Sequence, residues 1–363
     1  PSVLRVPAQD ITSTESGAVE PVVLELRDGR VWMLIRTQRG RLYESFSEDG
    51  GLHWSSPRPS RFLSSESPAG LVRLSDGRIL LLWNNCLRFP YAYGGRHVLH
   101  AAISEDEGRT WRGYREVARD PLLEQPPPPR GNFGTAYPYP APTRDGKVIF
   151  TTGQGVAARL LCILLDPTWL YETVTREDFS KGLAEWSSFG TKGVDLIPHP
   201  EKPGAQVLRI RRPDPEWPAA AVWNFPIGKK GRLSLRLALQ SGFKGLRIGL
   251  TDHFSVPYDI EDHLHNAFAL EITQEGRFAE RGRLDFGRWY ELRLEWDVFR
   301  REARVFLDGR EVVGLPLLRQ TEGICYLRLS STAETPDEAG VLIESVEADV
   351  GASWLESLSQ PVG

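Results

Sequence analysis

The stretch SFSEDGGLHW, residues 45–54, has the spacing S-x-D-x-G-x-x-W, and AISEDEGRTW, residues 102–111, repeats that spacing further along the chain. In such a turn an aspartate accepts hydrogen bonds from backbone amides, the glycine adopts a positive φ, and the tryptophan packs beneath. We therefore interpret both copies as structural turns and do not assign either aspartate a catalytic role. The copies comprise Ser47, Asp49, Gly51 and Trp54, and then Ser104, Asp106, Gly108 and Trp111.

Each turn belongs to a longer internal repeat. ELRDGRVWMLIRT at 25–37 aligns with RLSDGRILLLWNN at 73–85, and PTRDGKVIFTTG at 142–153 keeps the Asp-Gly hairpin without the second turn motif. Short apolar runs bounded by Asp-Gly turns are typical of strands, and about four strands per unit match a propeller blade. The sequence therefore predicts an all-β chain with about three propeller blades in residues 1–173.

The character of the chain changes at residue 174. From there to residue 363 the strands are longer and alternate polar with apolar residues, which predicts a two-sheet β-sandwich with one wet and one buried face per sheet. RWYELRLEWD at 288–297 and ARVFLDGREV at 303–312 resemble a hairpin of concanavalin A-like or laminin-G-like jelly rolls. The resemblance implies a jelly roll for residues 174–363.

Four polar residues recur at related positions of the repeat. Glu20 precedes Arg36 by 16 residues, Arg96 precedes Ser104 by eight, and Tyr137 precedes the hairpin aspartate Asp145 by eight. We expect one glutamate, two arginines and one tyrosine on corresponding strands of consecutive units.

With EPVVLELRDG at 20–29, Arg36, Arg96 and the A-Y-P at 136–138, residues 1–173 resemble the C-terminal half of the sialidase (neuraminidase)-like BNR/Asp-box repeat family. The resemblance implies an exo-sialidase-like glycoside hydrolase that acts on a terminal sialic acid or related acidic sugar with retention. Tyr137 would be the nucleophile, Glu20 its base, and Arg36 with Arg96 the clamp for the sugar carboxylate, since a guanidinium matches a carboxylate. Tyr139, two residues on and expected on the same strand face, is the alternative nucleophile.

The chain departs from this family in one respect. The family's propeller has six blades, and its acid/base aspartate and first arginine lie in blades that we do not find here. We therefore expect a second polypeptide piece or a second copy to complete the propeller, or the chain to be a fragment of a longer protein, and we favour the fragment or cleaved chain. The rival interpretation is a non-catalytic carbohydrate-binding or scaffolding propeller.

The composition of the chain limits the classes of ligand that we expect it to bind. The net charge of −4 predicts neither nucleic-acid nor membrane binding, and no apolar run is long enough for a membrane span. The proposed chemistry requires no cofactor and no metal, and the family is typically secreted or periplasmic. Cys86, Cys162 and Cys325 are expected to be buried free thiols.

A cluster of polar residues in the second half of the chain allows two interpretations, a metal site or a polar loop. The metal site depends on a His263-x-His265 pair sharing one strand face. We favour a polar loop on the sandwich for this segment, which contains Asp252, His253, Asp259, Asp262, His263 and His265.

Overall fold

The computed structural model describes residues 17–87, 94–120, 134–153, 160–279 and 282–351. The chain divides into two compact units, Pro1–Tyr171 and Glu172–Gly363. Strands dominate both units, as predicted, and the described helical segments are short 3-10 turns at Gly94–Arg96, Pro167–Tyr171 and Asp262–His265. Within the described residues none of these helical segments could span a bilayer.

The described part of the first unit contains three antiparallel sheets that follow one another along the chain, and within each sheet every strand pairs with its neighbour in sequence. The first sheet consists of β1 (Val19–Glu25), β2 (Val31–Arg36), β3 (Arg41–Ser47) and β4 (Arg58–Leu63). The second consists of β5 (Gly70–Arg73), β6 (Ile79–Trp83), β7 (Val98–Ser104) and β8 (Arg112–Arg119). The third has three strands among the described residues: β9 (Tyr139–Pro142), β10 (Val148–Thr152) and β11 (Leu161–Leu165).

These sheets pack against one another through apolar faces. Trp32 of the first sheet lies against Trp111 beside the second, with ring centroids 6.2 Å apart. Leu82 and Leu99 of the second sheet share a core with Phe150 of the third. Four-stranded meanders packed face to face are the blade arrangement of a propeller, so the all-β, propeller-like fold predicted from the repeat is confirmed.

Two larger antiparallel sheets form most of the second unit as far as the structure describes it. One has the order β14-β15-β26-β17-β22-β23-β24, with β12 also paired to β26, and the other has the order β13-β16-β25-β18-β19. A small ribbon, β20-β21, completes the described strands. The bounds are β12 (Val174–Glu177), β13 (Trp186–Ser187), β14 (Val194–Pro198), β15 (Gln206–Arg212), β16 (Ala220–Gly228), β17 (Lys230–Leu239), β18 (Leu246–Thr251), β19 (Phe268–Ile272), β20 (Arg277–Phe278), β21 (Gly282–Arg283), β22 (Trp289–Asp297), β23 (Glu302–Leu307), β24 (Arg310–Pro316), β25 (Ile324–Ser331) and β26 (Asp337–Asp349).

One apolar core joins the inner faces of these two sheets. Leu235 and Leu294 of the first sheet share it with Trp223, Ile248 and Leu329 of the second, and all five are buried. Along β17, buried residues alternate with partly exposed ones over most of the strand, as expected for a sheet with one face in the core. The second unit is therefore a two-sheet sandwich.

The three cysteines do not share one environment. Cys86 and Cys325 are buried and form no disulfide, as predicted, but the prediction of burial is wrong for Cys162, which is exposed. Its neighbours Leu161 and Ile163 pack against the core of the first unit. Because side chains alternate along β11, Cys162 between them points to the opposite face.

Candidate active site

The first repeated turn is closed by its own side chains. The Ser47 hydroxyl donates to Asp49 Oδ1 at 2.9 Å and accepts from the Gly51 amide at 2.8 Å. Asp49 Oδ1 also accepts from the His53 amide at 2.8 Å, and Trp54 Nε1 donates to the Gly51 carbonyl at 2.9 Å. The hydrogen bonds from the His53 amide and ring lower the pKa of Asp49.

The second turn repeats this pattern. The Ser104 hydroxyl donates to Asp106 Oδ1 at 2.9 Å and accepts from the Gly108 amide at 2.9 Å. Asp106 accepts from both the amide and the hydroxyl of Thr110, and Trp111 Nε1 donates to the Gly108 carbonyl at 2.9 Å. Both aspartates thus have their oxygens committed to their own turn, which supports the structural interpretation.

Glu20 lies in an irregular part of β1. The pairing of β1 with β2 shifts register between Val19 and Val22, which is a β-bulge, and Glu20 has a φ of 47°. A bulge redirects a side chain, and a positive φ is unfavourable for a residue other than glycine. The local backbone conformation costs about 1–3 kcal/mol, a strain that is common at functional sites.

Tyr137 also has a left-handed backbone, with a φ of 57°. The segment before it is held by neighbours: the Thr135 amide donates to the Arg96 carbonyl at 2.6 Å, and the Ala136 carbonyl accepts from the Gly153 amide at 3.0 Å. The strand β9 begins only at Tyr139. Tyr137 therefore precedes its strand, and its side chain is directed by the anchored segment.

Tyr137, Glu20 and Arg36 form a triangle of hydrogen bonds. The Tyr137 hydroxyl donates to Glu20 Oε1 at 2.9 Å, across 117 residues of sequence. Arg36 Nη1 donates to Glu20 Oε2 at 2.6 Å and to the Tyr137 hydroxyl at 3.2 Å. The phenol oxygen thus lies between a carboxylate that accepts its proton and a guanidinium that stabilises negative charge on it.

Glu66 is the residue of this site that the sequence did not reveal. Its Oε1 accepts from Arg36 Nη2 at 2.8 Å, and its backbone carbonyl accepts from Arg96 Nη2 at 2.5 Å. The sequence around it, SSES at 64–67, is a buried connection between β4 and β5 with no strand or helix periodicity that would have predicted its role. One residue therefore links both arginines of the predicted clamp.

A buried amide holds the segments of the site together. The Ser67 hydroxyl donates to Asn84 Oδ1 at 2.7 Å, and Asn84 Nδ2 donates to the Val98 carbonyl at 2.7 Å and the Thr135 carbonyl at 3.0 Å. Asn84 is fully buried. It connects the Glu66 segment to the Tyr137 segment and to β7.

Arg36 and Arg96 are both buried, with 7% and 1% of their surface exposed. Burial opposes the charge on Arg36, but hydrogen bonds to Glu20 and Glu66 outweigh it and raise the pKa of Arg36. The Arg96 guanidinium lies over the Tyr137 ring, with its Cζ 5.9 Å from the ring centroid. Both terminal nitrogens of Arg36 thus donate to protein groups.

The sequence predicted that the glutamate, the two arginines and the tyrosine lie on corresponding strands, and this prediction is wrong for two of the four. Glu20 and Arg36 lie on β1 and β2, but Arg96 ends the 3-10 turn Gly94–Arg96, and Tyr137 precedes β9. Paired glycines before Arg96 favour irregular backbone there, and Pro138 lacks the amide hydrogen that strand pairing next to Tyr137 would require. The residues nevertheless meet, because the sheets stack and bring their edges together.

Tyr139, the alternative nucleophile, has a different environment. It begins β9 and is 69% exposed. Tyr137 and Tyr139 both line a depression of about 410 Å³, together with Leu160 and Cys162. The described hydrogen bonds to Glu20 and Arg36 involve Tyr137.

The polar cluster of the second unit is buried, not open. His253 is flanked by Asp252, 2.8 Å from Nδ1, and by Asp262, 3.4 Å from Nε2, and all three are buried. His263 and His265 lie in the 3-10 turn Asp262–His265, so the predicted shared strand face is wrong. Among the described residues no three histidine, cysteine or acidic side chains are grouped as metal ligands.

Known proteins resemble both the repeat and the fold. Residues 5–150 match the BNR repeat-like domain family, which confirms the predicted resemblance over that range. Similar structures include a sialidase (19% identity, TM-score 0.37, covering 93% of this chain and 32% of that one) and Trypanosoma rangeli sialidase in complex with sialic acid (13%, TM-score 0.38, 94% and 62%). A carbohydrate esterase from Shiga toxin-encoding bacteriophage phi24B is also similar (13%, TM-score 0.33, 49% and 97%).

The chain spans only 32% and 62% of those two sialidases. No curated protein matches the sequence.

Proposed function

We propose that this chain, whose residues 5–150 carry a BNR repeat-like domain, supplies the nucleophile side of a retaining glycosidase site for a terminal sialic acid or related acidic sugar. The observation that carries the proposal is the hydrogen bond from the Tyr137 hydroxyl to Glu20 Oε1 at 2.9 Å. A phenol is a weak nucleophile until a base accepts its proton, and Glu20 is within reach to do so.

The proposed reaction has two displacements. In the first, the Tyr137 oxygen forms a bond to the anomeric carbon as the bond to the leaving oxygen breaks, and Glu20 takes the phenol proton. Water then attacks the same carbon and Tyr137 departs as the phenol, with its proton returned by Glu20. A neutral tyrosine suits a sugar whose own carboxylate adjoins the reacting carbon, because a carboxylate nucleophile would be repelled. An acid from beyond the described residues would protonate the leaving oxygen in the first step, and its conjugate base would take the proton of the attacking water in the second.

The arginines have two proposed roles. Arg36 orients Glu20 and Tyr137 through Nη1. Arg36 and Arg96 together would hold the sugar carboxylate after the Glu66 carboxylate has released the N–H donor of Arg36 that it now accepts from. The contact of the Glu66 carboxylate with Arg36 Nη2 supports this exchange at Arg36, whereas Arg96 donates to the Glu66 backbone carbonyl. The ligand carboxylate would then occupy the position of an internal carboxylate.

The alternative proposal is a non-catalytic carbohydrate-binding propeller. Its support is that Arg36 and Arg96 are buried and bonded within the protein, as in a cluster that stabilises a scaffold. In that case the site would bind acidic sugars without turnover.

The test compares Tyr137→Phe with Tyr139→Phe on a fluorogenic aryl sialoside, with the released sugar followed by NMR. We expect Tyr137→Phe to lower kcat at least about a thousandfold while sialic acid still binds, because only the nucleophilic oxygen is removed. Tyr139→Phe tests the alternative nucleophile and should keep most of the activity. Release of the sugar with inversion, or unchanged turnover by Tyr137→Phe, contradicts the tyrosine mechanism.

Binding of sialic acid without turnover supports the binding propeller, and an absence of both rejects both proposals. The expected second polypeptide or second copy remains a prediction. Light scattering and intact mass spectrometry of the sample assayed test it directly.

A further inference from the structure

We infer that the second unit contains a binding site for a small oxyanion, in a pocket of about 240 Å³ on the outer face of the five-stranded sheet. Three arginines, Arg212, Arg247 and Arg328, line it together with the hydroxyl residue Ser330. All these residues belong to the second unit, so the inference does not depend on the proposed glycosidase function.

The sheet register places these side chains on one face. Ser330 of β25 pairs with Arg247 of β18 on one side and with Ala220 of β16 on the other. Directly paired residues point to the same face, and Arg328, two positions before Ser330, shares it. Leu329, between them, lies in the apolar core, so Arg247, Arg328 and Ser330 all project outward.

Arg328 is a buried guanidinium whose hydrogen bonds go to neutral groups. It is 3% exposed and donates to the Ser255 hydroxyl and to the carbonyls of Val256, Pro257 and Asp259. Its Nε is buried without a hydrogen-bond partner. Burial, with a contribution from the charge of Arg247, lowers the pKa of Arg328, although Asp262 and Asp259 oppose the shift.

The other two arginines bring further guanidinium groups to the pocket, one bonded to neutral carbonyls and one paired with a carboxylate. Arg212 donates to the carbonyls of Trp217, Ala333 and Pro215, at 2.9, 2.7 and 2.6 Å. Arg247 pairs with Glu271 at 2.7 Å on the neighbouring strand. Among the described residues that line the pocket there is no carboxylate. An oxyanion there would meet donors from guanidinium and hydroxyl groups, the set that binds phosphate, sulfate and carboxylate.

The first experiment titrates the whole chain with sodium sulfate by calorimetry, against sodium chloride at equal ionic strength. We expect saturable binding of sulfate and at least about tenfold weaker binding by Arg247→Gln, since a direct charged donor is lost. Arg209→Gln is the matched control. Arg209 pairs with Asp195 across two strands of the other sheet, and its side chain is 24% exposed against 21% for Arg247. It should bind sulfate within about twofold of the wild type.

A second pair of variants holds size constant and changes charge. Ser330→Asp introduces a carboxylate into the pocket and should abolish sulfate binding, whereas Ser330→Asn should bind at least tenfold more tightly than Ser330→Asp. Inorganic phosphate and acetate, titrated in competition with sulfate, then identify the oxyanion: displacement by acetate indicates a carboxylate ligand, and displacement by phosphate alone indicates a tetrahedral one. The inference is overturned if sulfate has no effect beyond that of chloride, or if Arg247→Gln and Arg209→Gln weaken binding equally.

Discussion

The two units each join distant segments through a cluster of charged side chains, and the two clusters differ in their access to solvent. In the first unit, Glu20 keeps 38% of its side chain exposed beside the buried Arg36. In the second unit, His253 and Asp262 are 0% and 1% exposed. Both clusters contain carboxylates and a cationic partner, but of these two clusters only the first has a phenol and a carboxylate, Tyr137 and Glu20, that are partly exposed.

This difference in exposure distinguishes the cluster of the first unit, a candidate site, from the cluster of the second unit, a structural network. Glu20 and Tyr137 combine positive φ values with partial exposure, and the exposure is what distinguishes them, because Glu107 in the second structural turn also has a positive φ. The cluster around His253 instead ties the segment 252–262 to β25 through Ser255 and Arg328. A concentration of acids and histidines in the sequence therefore did not by itself indicate which cluster a ligand reaches.

The largest expected effect compares the same chemical change in both clusters. Asp262→Asn should lower the free energy of unfolding by about 3 kcal/mol, because it removes a buried charge partner of His253. Glu20→Gln should cost less than about 1 kcal/mol, because Glu20 is partly exposed and Arg36 keeps Glu66. Urea unfolding of both variants is the measurement, and equal losses would remove the distinction between the clusters.

A second prediction uses two buried histidines with opposite pKa shifts. Burial lowers the pKa of His100 in the first unit to about 3. In the second unit burial opposes the charge on His253, but Asp262 and Asp252 outweigh it and raise the pKa of His253. Below about pH 6.5 unfolded His100 binds a proton that the folded state excludes, so its contribution to stability falls as pH drops from 6.5 towards 3, by at most about 1.4 kcal/mol per pH unit.

The contribution of His253 to stability has the opposite dependence on pH. It is present below about pH 6.5 and is lost as pH rises through the raised folded pKa. We expect His100→Gln to flatten the acid side of the stability–pH curve and His253→Gln to flatten the alkaline side. Thermal unfolding across pH 4 to 9 measures both. The opposite assignment of the two slopes would contradict the described environments.

A smaller effect is expected at the repeated turns. Asp106→Ala removes acceptors for Ser104 and for the amide and hydroxyl of Thr110, and should destabilise the first unit by about 1 kcal/mol. Sialic acid binding by the folded variant should be unchanged, because the turn does not contact Tyr137 or Glu20 through any described hydrogen bond. A loss of binding with unchanged melting would give the turn a functional role.

The smallest effect is expected at Glu66. Glu66→Gln keeps a hydrogen-bond acceptor for Arg36 but removes one negative charge from the site. Binding of sialic acid should tighten by about three- to tenfold, because less charge competes for Arg36. Calorimetry with sialic acid, and with a neutral hexose as control, tests this. Weaker binding of sialic acid would mean that Glu66 supports the clamp and does not compete with the ligand.

Local patterns in the sequence determined much of the fold. The repeated turns are closed by hydrogen bonds between residues two to four positions apart, such as Ser47 to Asp49 and Ser104 to Gly108, so their spacing is sufficient to predict them. Alternation and Asp-Gly hairpins likewise predicted the strands, because both act over a few residues.

Only the tertiary structure decided how the distant residues meet. Tyr137 contacts Arg36 and Glu20 across 101 and 117 residues, through stacked sheets, a bulge in β1 and an anchored segment before β9. Glu66 in its serine-rich connection has no periodicity in the sequence, and alternation along β25 places Arg328 and Ser330 on one face without revealing which arginines of other strands lie beside them. Their partners come from other strands and loops. These groups are brought together by the packing of whole sheets, which depends on contacts between distant parts of the chain and cannot be predicted from any short stretch of sequence.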